Sequence, residues 1–161
     1  AQFLQHPRLA AIVCRELARR FASKKPTIII GPAIGGILVS YEVARVLGTR
    51  ALYTERVDAE MQLRRGFTVT KKDRILVVED AITTGESARK VADLMEALGA
   101  KIVGIGVIVD RSGGSVKFPK RWKYERLLIL DFEHFSPHDC PLCKEDVPLT
   151  HPGSRPRRSM L

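Results

Sequence analysis

Three short apolar runs, "TIII" at 27–30, "ILVVE" at 75–79 and "KIVGIGVIVD" at 101–110, constrain this chain more than any other feature. Each is too short and too rich in β-branched residues to be a helix, and each ends at glycine or at charged residues. The first two lead through glycine-bearing loops into stretches of helical period, 37–47 and 86–98, which stop at Gly48 and Gly99. A chain that leaves one buried strand, runs through a helix and returns to another buried strand pairs the two in parallel, with the helices covering the sheet. The expected fold class is therefore α/β, a mostly parallel twisted sheet flanked by helices.

The remaining elements fit this frame. Pro7 suits a first helical turn, and Leu9, Ile12, Val13, Leu17 and Phe21 recur at helical spacing behind it, so 7–21 is read as an amphipathic helix with Cys14 as packing. "RALYT" (50–54) and "RLLILD" (126–131) read as further strands, and "FTVT", "KKD", "ILVVE" as a hairpin feeding the central strand. Residues 55–66, "ERVDAEMQLRRG", show no clear period and are expected to form a mobile loop.

The 161 residues with 45% apolar content suffice for one cored domain. No apolar run reaches the roughly 18 residues needed to span a bilayer, so no membrane partner is expected. Cys14, Cys140 and Cys143 are too few and odd in number for a disulfide framework, which points to a reducing, cytoplasmic setting. A single CxxC near His134 and His138 is too little for a zinc site, and no metal ligand is assigned among the side chains. The net charge of +9 suggests anionic partners, part of it in the tail "GSRPRRSML", which reads as a solvated end.

Open α/β sheets take ligands beyond the carboxyl ends of their strands, which singles out the loops at 31–36, 79–87 and 110–114. The second carries Glu79 and Asp80 side by side, then Thr83, Thr84, Gly85, Glu86 and Ser87 at the turn into a helix. Such a turn points free N–H groups and the positive end of the helix dipole at an anion, and the hydroxyls of Thr83, Thr84 and Ser87 add donors. It is neither a Walker loop nor GxGxxG. An ordinary helix cap accounts for Thr83 or Thr84 but leaves two adjacent acids unexplained. Acids that accept from vicinal hydroxyls beside a phosphate nest describe a reader of ribose 5-phosphate.

"VVEDAITTGES" resembles the 5-phosphoribosyl 1-pyrophosphate (PRPP) motif of type I phosphoribosyltransferases. In order and spacing, "IIIGPAIGGILVSYEVARVLG", "YTERVDAEMQLRRGF" and "VIVDRSGG" resemble successive blocks of bacterial orotate phosphoribosyltransferases. The resemblance implies that Glu79 and Asp80 hold the ribose hydroxyls while Thr83, Thr84, Gly85, Glu86 and Ser87 cradle the 5-phosphate. It further implies that Ala33, Ile34, Gly35 and Gly36 offer backbone N–H groups to pyrophosphate, that Arg56 contacts pyrophosphate, and that Arg111 contacts the base. Arg64 and Arg65 would sit on a flexible catalytic loop that closes over the partner subunit's site, making a homodimer with shared active sites. Mg2+ is the implied cofactor, and PRPP and orotate the implied substrates. Glu86 stands where the family usually has a small residue, so its charge is expected to point away from the phosphate. The core is expected over 1–132, followed by a C-terminal extension over 133–161, and the chain is expected to start after the N-terminal hood of the family. The alternatives are a purine phosphoribosyltransferase or a PRPP-sensing regulatory protein. No helix-turn-helix or broad basic face outside the tail supports a nucleic-acid partner.

Overall fold

The computed structural model describes residues 2–133, 135–136 and 138–148. Two compact units divide the chain, Ala1–Asp131 and Phe132–Leu161. The first contains the helices α1 (Pro7–Phe21), α2 (Gly35–Leu47) and α3 (Glu86–Ala97). Its strands are β1 (Ile28–Pro32), β2 (Arg50–Val57), β3 (Glu60–Gln62), β4 (Arg74–Ile82), β5 (Lys101–Asp110) and β6 (Lys123–Ile129). They form one sheet in the order β3-β2-β1-β4-β5-β6. Every neighbouring pair is parallel except β2 with β3; the strand–helix–strand pattern accounts for this up to β5, whereas β6 joins in parallel through a helix-free crossover over 111–122. In the second unit, the described residues contain one helical turn, α4 (Pro141–Lys144).

The strand pleat sorts the core into two layers. Ile28, Ile30, Ile75, Val77, Ile105 and Val107 face α3, where Ala88, Val91, Ala92 and Met95 meet them. Ile29, Leu76, Val78 and Val103 face the other way, onto Leu17 and Phe21 of α1 and Val39 and Val43 of α2. β1 is buried along its whole length because it sits mid-sheet under helices on both faces. Each large side chain buried this way contributes about 1.5–3 kcal/mol.

Three sequence expectations need correction. First, the inward stripe of α1 is only partly the expected one: Leu17, Phe21 and Cys14 are buried as expected, but Ala10 and Ala18 complete the face, while Leu9 and Ile12 remain about half or more exposed. The small Ala10 and Ala18 let the helix lie close to the sheet, which the larger Leu9 and Ile12 do not. Second, 55–66 is not structureless. β2 runs to Val57, turns at Asp58 and Ala59, both with positive φ, and returns as β3, pairing Glu55 with Gln62 and Arg56 with Met61. Met61 is buried and accepts a 3.7 Å contact from the Thr54 hydroxyl. Third, the expected hairpin at 67–79 does not form. The turn is present, with Asp73 accepting from the Thr70 N–H at 2.8 Å, but 67–70 is not a strand. Phe67 instead packs edge-on against Tyr53, with ring centroids 5.2 Å apart.

Candidate active site

The carboxyl ends of the central strands β1 and β4 build the site. Directly after β1 the chain makes a turn whose glycines interlock. A Cβ on Gly31 would lie 2.4 Å from the Gly36 carbonyl oxygen, so the strand end and the first turn of α2 touch backbone to backbone. The Ala33 N–H donates to the Thr54 carbonyl at 2.8 Å, which fastens the turn to β2. The Ala33–Ile34 peptide is cis. Ile34 precedes α2 with no side-chain cap and is 70% exposed, so the turn presents backbone rather than polar side chains.

Glu79 and Asp80 lie inside β4, not beyond it, and both are half-buried. Their strand position fixes their directions: Glu79 is in register with Val107 of β5, and the next residue along, Asp80, points to the opposite face. That face is the one carrying the glycine turn. A Cβ on Gly35 would stand 2.6 Å from the Asp80 carboxyl carbon and from both of its oxygens. The Asp80 carboxylate therefore occupies the space that any side chain at 35 would need.

The strand-to-helix turn after β4 is shaped by Gly85. Its φ is +72°, and a Cβ there would meet Val116 at 2.8 Å and Phe118 at 2.9 Å, so both conformation and space demand glycine. Thr83 and Thr84 are exposed, and the Thr84 hydroxyl accepts from the Glu86 N–H at 3.3 Å. Gly85 itself supplies no side-chain cap, so beyond the Glu86 N–H held by Thr84 the start of α3 is left to an outside acceptor. Arg56 reaches this turn from β2, donating to the Ser87 hydroxyl at 3.4 Å and to the Ala59 carbonyl at 2.9 Å. The Glu86 carboxylate is turned along the helix to Lys90, 3.5 Å away.

Arg64 and Arg65 do not join this cluster. Arg65 makes a two-pronged ion pair with Glu55 of β2, at 2.7 and 3.0 Å, and Arg64 stands 3.6 Å from the same carboxylate. The Arg65 fork, reinforced by Arg64, holds the Glu55 carboxyl below the usual carboxylate range.

The third loop follows β5. The Arg111 N–H donates to the Ile82 carbonyl at 2.9 Å, tying this loop to the end of β4, and the residue is exposed. Beneath it lies a group that sequence reading missed: Asp110, fully buried. It accepts from the Ser112 N–H at 2.9 Å, the Ser112 hydroxyl at 2.6 Å and the Tyr124 hydroxyl at 3.1 Å, with Arg126 at 3.6 Å. Burial opposes its charge, but the Ser112 bonds, then Tyr124 and Arg126, outweigh it and hold the carboxyl below the usual range. Burial, together with the neighbouring Asp110, pushes the Tyr124 phenol up to about 12. The signal was a carboxylate closing an otherwise apolar strand, "VIVD". The second missed residue is Lys90, whose cation lies one helical turn beyond Glu86.

Asp80, the glycine turn against it and the start of α3 thus lie at the carboxyl ends of neighbouring strands, with Glu79 on the opposite face of β4. The phosphoribosyl transferase domain family matches residues 1–138. An orotate phosphoribosyltransferase of Caldanaerobacter subterraneus subsp. tengcongensis is 47% identical over 155 residues, covering 96% of this chain and 80% of that protein. One from Pelotomaculum thermopropionicum is 50% identical over the same shares. The chain belongs to the orotate phosphoribosyltransferase family. Solved phosphoribosyltransferases share the fold. The Mycobacterium tuberculosis H37Rv orotate phosphoribosyltransferase, solved in complex with PRPP, superposes with a TM-score of 0.65 at 24% identity, over 79% of this chain and 76% of that one. Adenine phosphoribosyltransferase from Rhodothermus marinus gives 0.68 at 20% identity, over 79% and 82%. Membership makes the chain a pentosyltransferase with a phosphoribosyltransferase core, and among the described residues no helix is long and apolar enough to cross a membrane.

Proposed function

We propose that this chain transfers ribose 5-phosphate from PRPP to orotate, giving orotidine 5-monophosphate and pyrophosphate. The observation that carries the reading is the closeness of the Asp80 carboxylate to Gly35, which supports a ribose-reading acid standing beside a turn that takes an anion. Glu79 and Asp80 accept hydrogen bonds from the ribose hydroxyls and fix the sugar. The 5-phosphate sits at the start of α3, among the N–H groups and hydroxyls of Thr83, Thr84 and Ser87, where the helix dipole favours a dianion. Ile34, Gly35 and Gly36 offer backbone N–H groups to the pyrophosphate, and Arg56 adds a positive charge; the Ala33 N–H, expected from the sequence to join them, is taken by the Thr54 carbonyl instead.

The new bond joins a ring nitrogen of orotate to the anomeric carbon as the carbon–oxygen bond to pyrophosphate breaks, and the proton of that nitrogen leaves with the released pyrophosphate. Positive charge grows on the sugar and negative charge on the leaving group. The arginines and backbone amides are therefore strongest where negative charge develops, and they stand in place before reaction. Arg111, on the loop tied to the end of β4, faces the base.

Among the described residues, no group of three or more His, Cys, Asp or Glu side chains could cage a metal ion. The oxygen donors present, Glu79 and Asp80, fit Mg2+ arriving on the substrate's phosphates, since that ion retains water and phosphate ligands and needs only one or two carboxylates. When bound, Mg2+ neutralises charge on pyrophosphate. Free cysteines at 14, 140 and 143 agree with a cytoplasmic setting. We place Arg64 and Arg65 in the site of the partner subunit of a homodimer, released from Glu55 when the loop closes.

Incubating the protein with PRPP, Mg2+ and each of orotate, adenine, guanine and hypoxanthine, and following pyrophosphate release, tests the reading. Turnover with orotate alone is expected. Turnover with a purine but not orotate overturns the base assignment, and tight PRPP binding without turnover of any base points to a sensor instead.

A further inference from the structure

Resting on that functional reading, the charge balance at the start of α3 leads one step further. Glu86 places a carboxylate in the first turn of the helix whose open end is to receive a phosphate dianion. A negative side chain there suits the helix dipole but repels the phosphate, so it works against binding unless a cation cancels it. Lys90 is that cation. Its ammonium lies 3.5 Å from the Glu86 carboxylate, one turn along α3. It also donates to the Ala59 carbonyl at 3.3 Å and stands 3.7 Å from Glu60. Ala59 accepts from Arg56 as well, so Lys90 and Arg56 grip the same carbonyl of the β2–β3 turn. The lysine side chain is only 33% exposed, which holds its charge in place rather than free in solvent.

We infer that Lys90 is a positioning residue for the 5-phosphate loop: it draws the Glu86 carboxylate away from the helix start and cancels its charge. No part of this was legible from the strand–turn–helix motif alone, because that motif ends before residue 90. The Glu86–Lys90 pair belongs to this chain's own helix.

The test is steady-state kinetics on Lys90→Met, Lys90→Arg, Glu86→Gln and the double variant Glu86→Gln/Lys90→Met, at two salt concentrations. With Glu86 left uncancelled in the turn that receives a dianion, like-charge repulsion is expected to raise the KM for PRPP by about an order of magnitude, more at low salt, where it is least screened. The change should fall on KM more than kcat, because the phosphate is held alike before and during reaction. Lys90→Arg should stay near wild type, and the double variant, again neutral, should return towards the wild-type KM. A residue that only supported the fold would leave the double variant as impaired as Lys90→Met, since both have lost every contact of the lysine. A KM unchanged in Lys90→Met, or one that Glu86→Gln fails to restore, overturns the inference while an active wild type keeps the functional reading intact. A wild type without PRPP-dependent turnover overturns both.

Discussion

Replacing Gly35 with alanine adds one methyl group where the glycine turn after β1 meets Asp80. The new Cβ would sit 2.6 Å from three atoms of the Asp80 carboxyl group, well inside van der Waals contact. Nothing in the backbone at 35 forbids alanine, as Gly35 is not among the glycines with positive φ and forms the first residue of α2. The strain is therefore relieved by rotating the Asp80 side chain away, which removes a charge-assisted acceptor from the ribose. Such a bond is worth about 1.5–3 kcal/mol, so PRPP affinity should fall roughly 10- to 150-fold. Global stability should change far less, because alanine in place of glycine in a helix gains about 0.5–1 kcal/mol against the local crowding. Calorimetric titration with PRPP and Mg2+, alongside thermal unfolding, measures both. Asp80→Asn should produce a loss of similar size, and the double variant should lose little more than either single one, since both remove the same interaction. Undiminished PRPP affinity in Gly35→Ala, or full additivity in the double variant, would refute the coupling of this turn to Asp80 and the proposed role of Asp80 at the ribose.

Three further outcomes are expected. Mixing inactive Arg65→Ala and Asp80→Asn proteins should restore activity if the loop arginines serve the partner's site, and no recovery despite measured subunit exchange would confine them to their own subunit. An aromatic disulfide reagent should react rapidly with Cys140 and Cys143, which are partly exposed, and with Cys14 only on unfolding, because burial pushes that thiol up to about 11; fast loss of three thiols in the native protein would contradict the packing of α1. Asp110, whose carboxyl is depressed on folding, contributes stability above the normal carboxylate range and loses it as pH falls through its lowered value. The thermal midpoint gap between wild type and Asp110→Asn should therefore be constant near neutrality and close in acid, and a gap that persists at the lowest pH would show that the charge is not what matters.

The parallel sheet and its crevice were legible because apolar runs, glycines and helical period agree along the chain. Pro7 marked the start of α1, yet periodicity put Leu9 and Ile12 on the buried face when Ala10 and Ala18 occupy it. Alanine is a weak apolar signal, and only the distance between helix and sheet decides in its favour. The β2–β3 hairpin was hidden because its turn residues are Asp58 and Ala59 rather than the Asn-Gly or Asp-Gly pair that usually marks positive φ. "FTVT" alternates like a strand, but Phe67 is taken up by Tyr53, and alternation does not say whether a partner strand exists. The acid pair, the glycine turn and the threonine loop were singled out as candidates from residue type and spacing. Asp110 and Lys90 were not, since their roles depend on Tyr124, Arg126 and Ala59, all distant in sequence or on other strands.

The connection from β5 to β6 passes over Gly85, with Val116 and Phe118 resting where a side chain would otherwise be. Phe118 also packs against Tyr124, ring centroids 4.9 Å apart, and receives the Arg89 guanidinium at 5.3 Å. For anyone wishing to splice in an epitope, a fluorophore or a second domain, this long surface segment is a poor insertion point despite its exposed residues. Lengthening it would lift the roof off the Gly85 turn. The solvent-facing turn at Lys71 and Lys72, at the opposite end of β4, offers a join that leaves that roof in place.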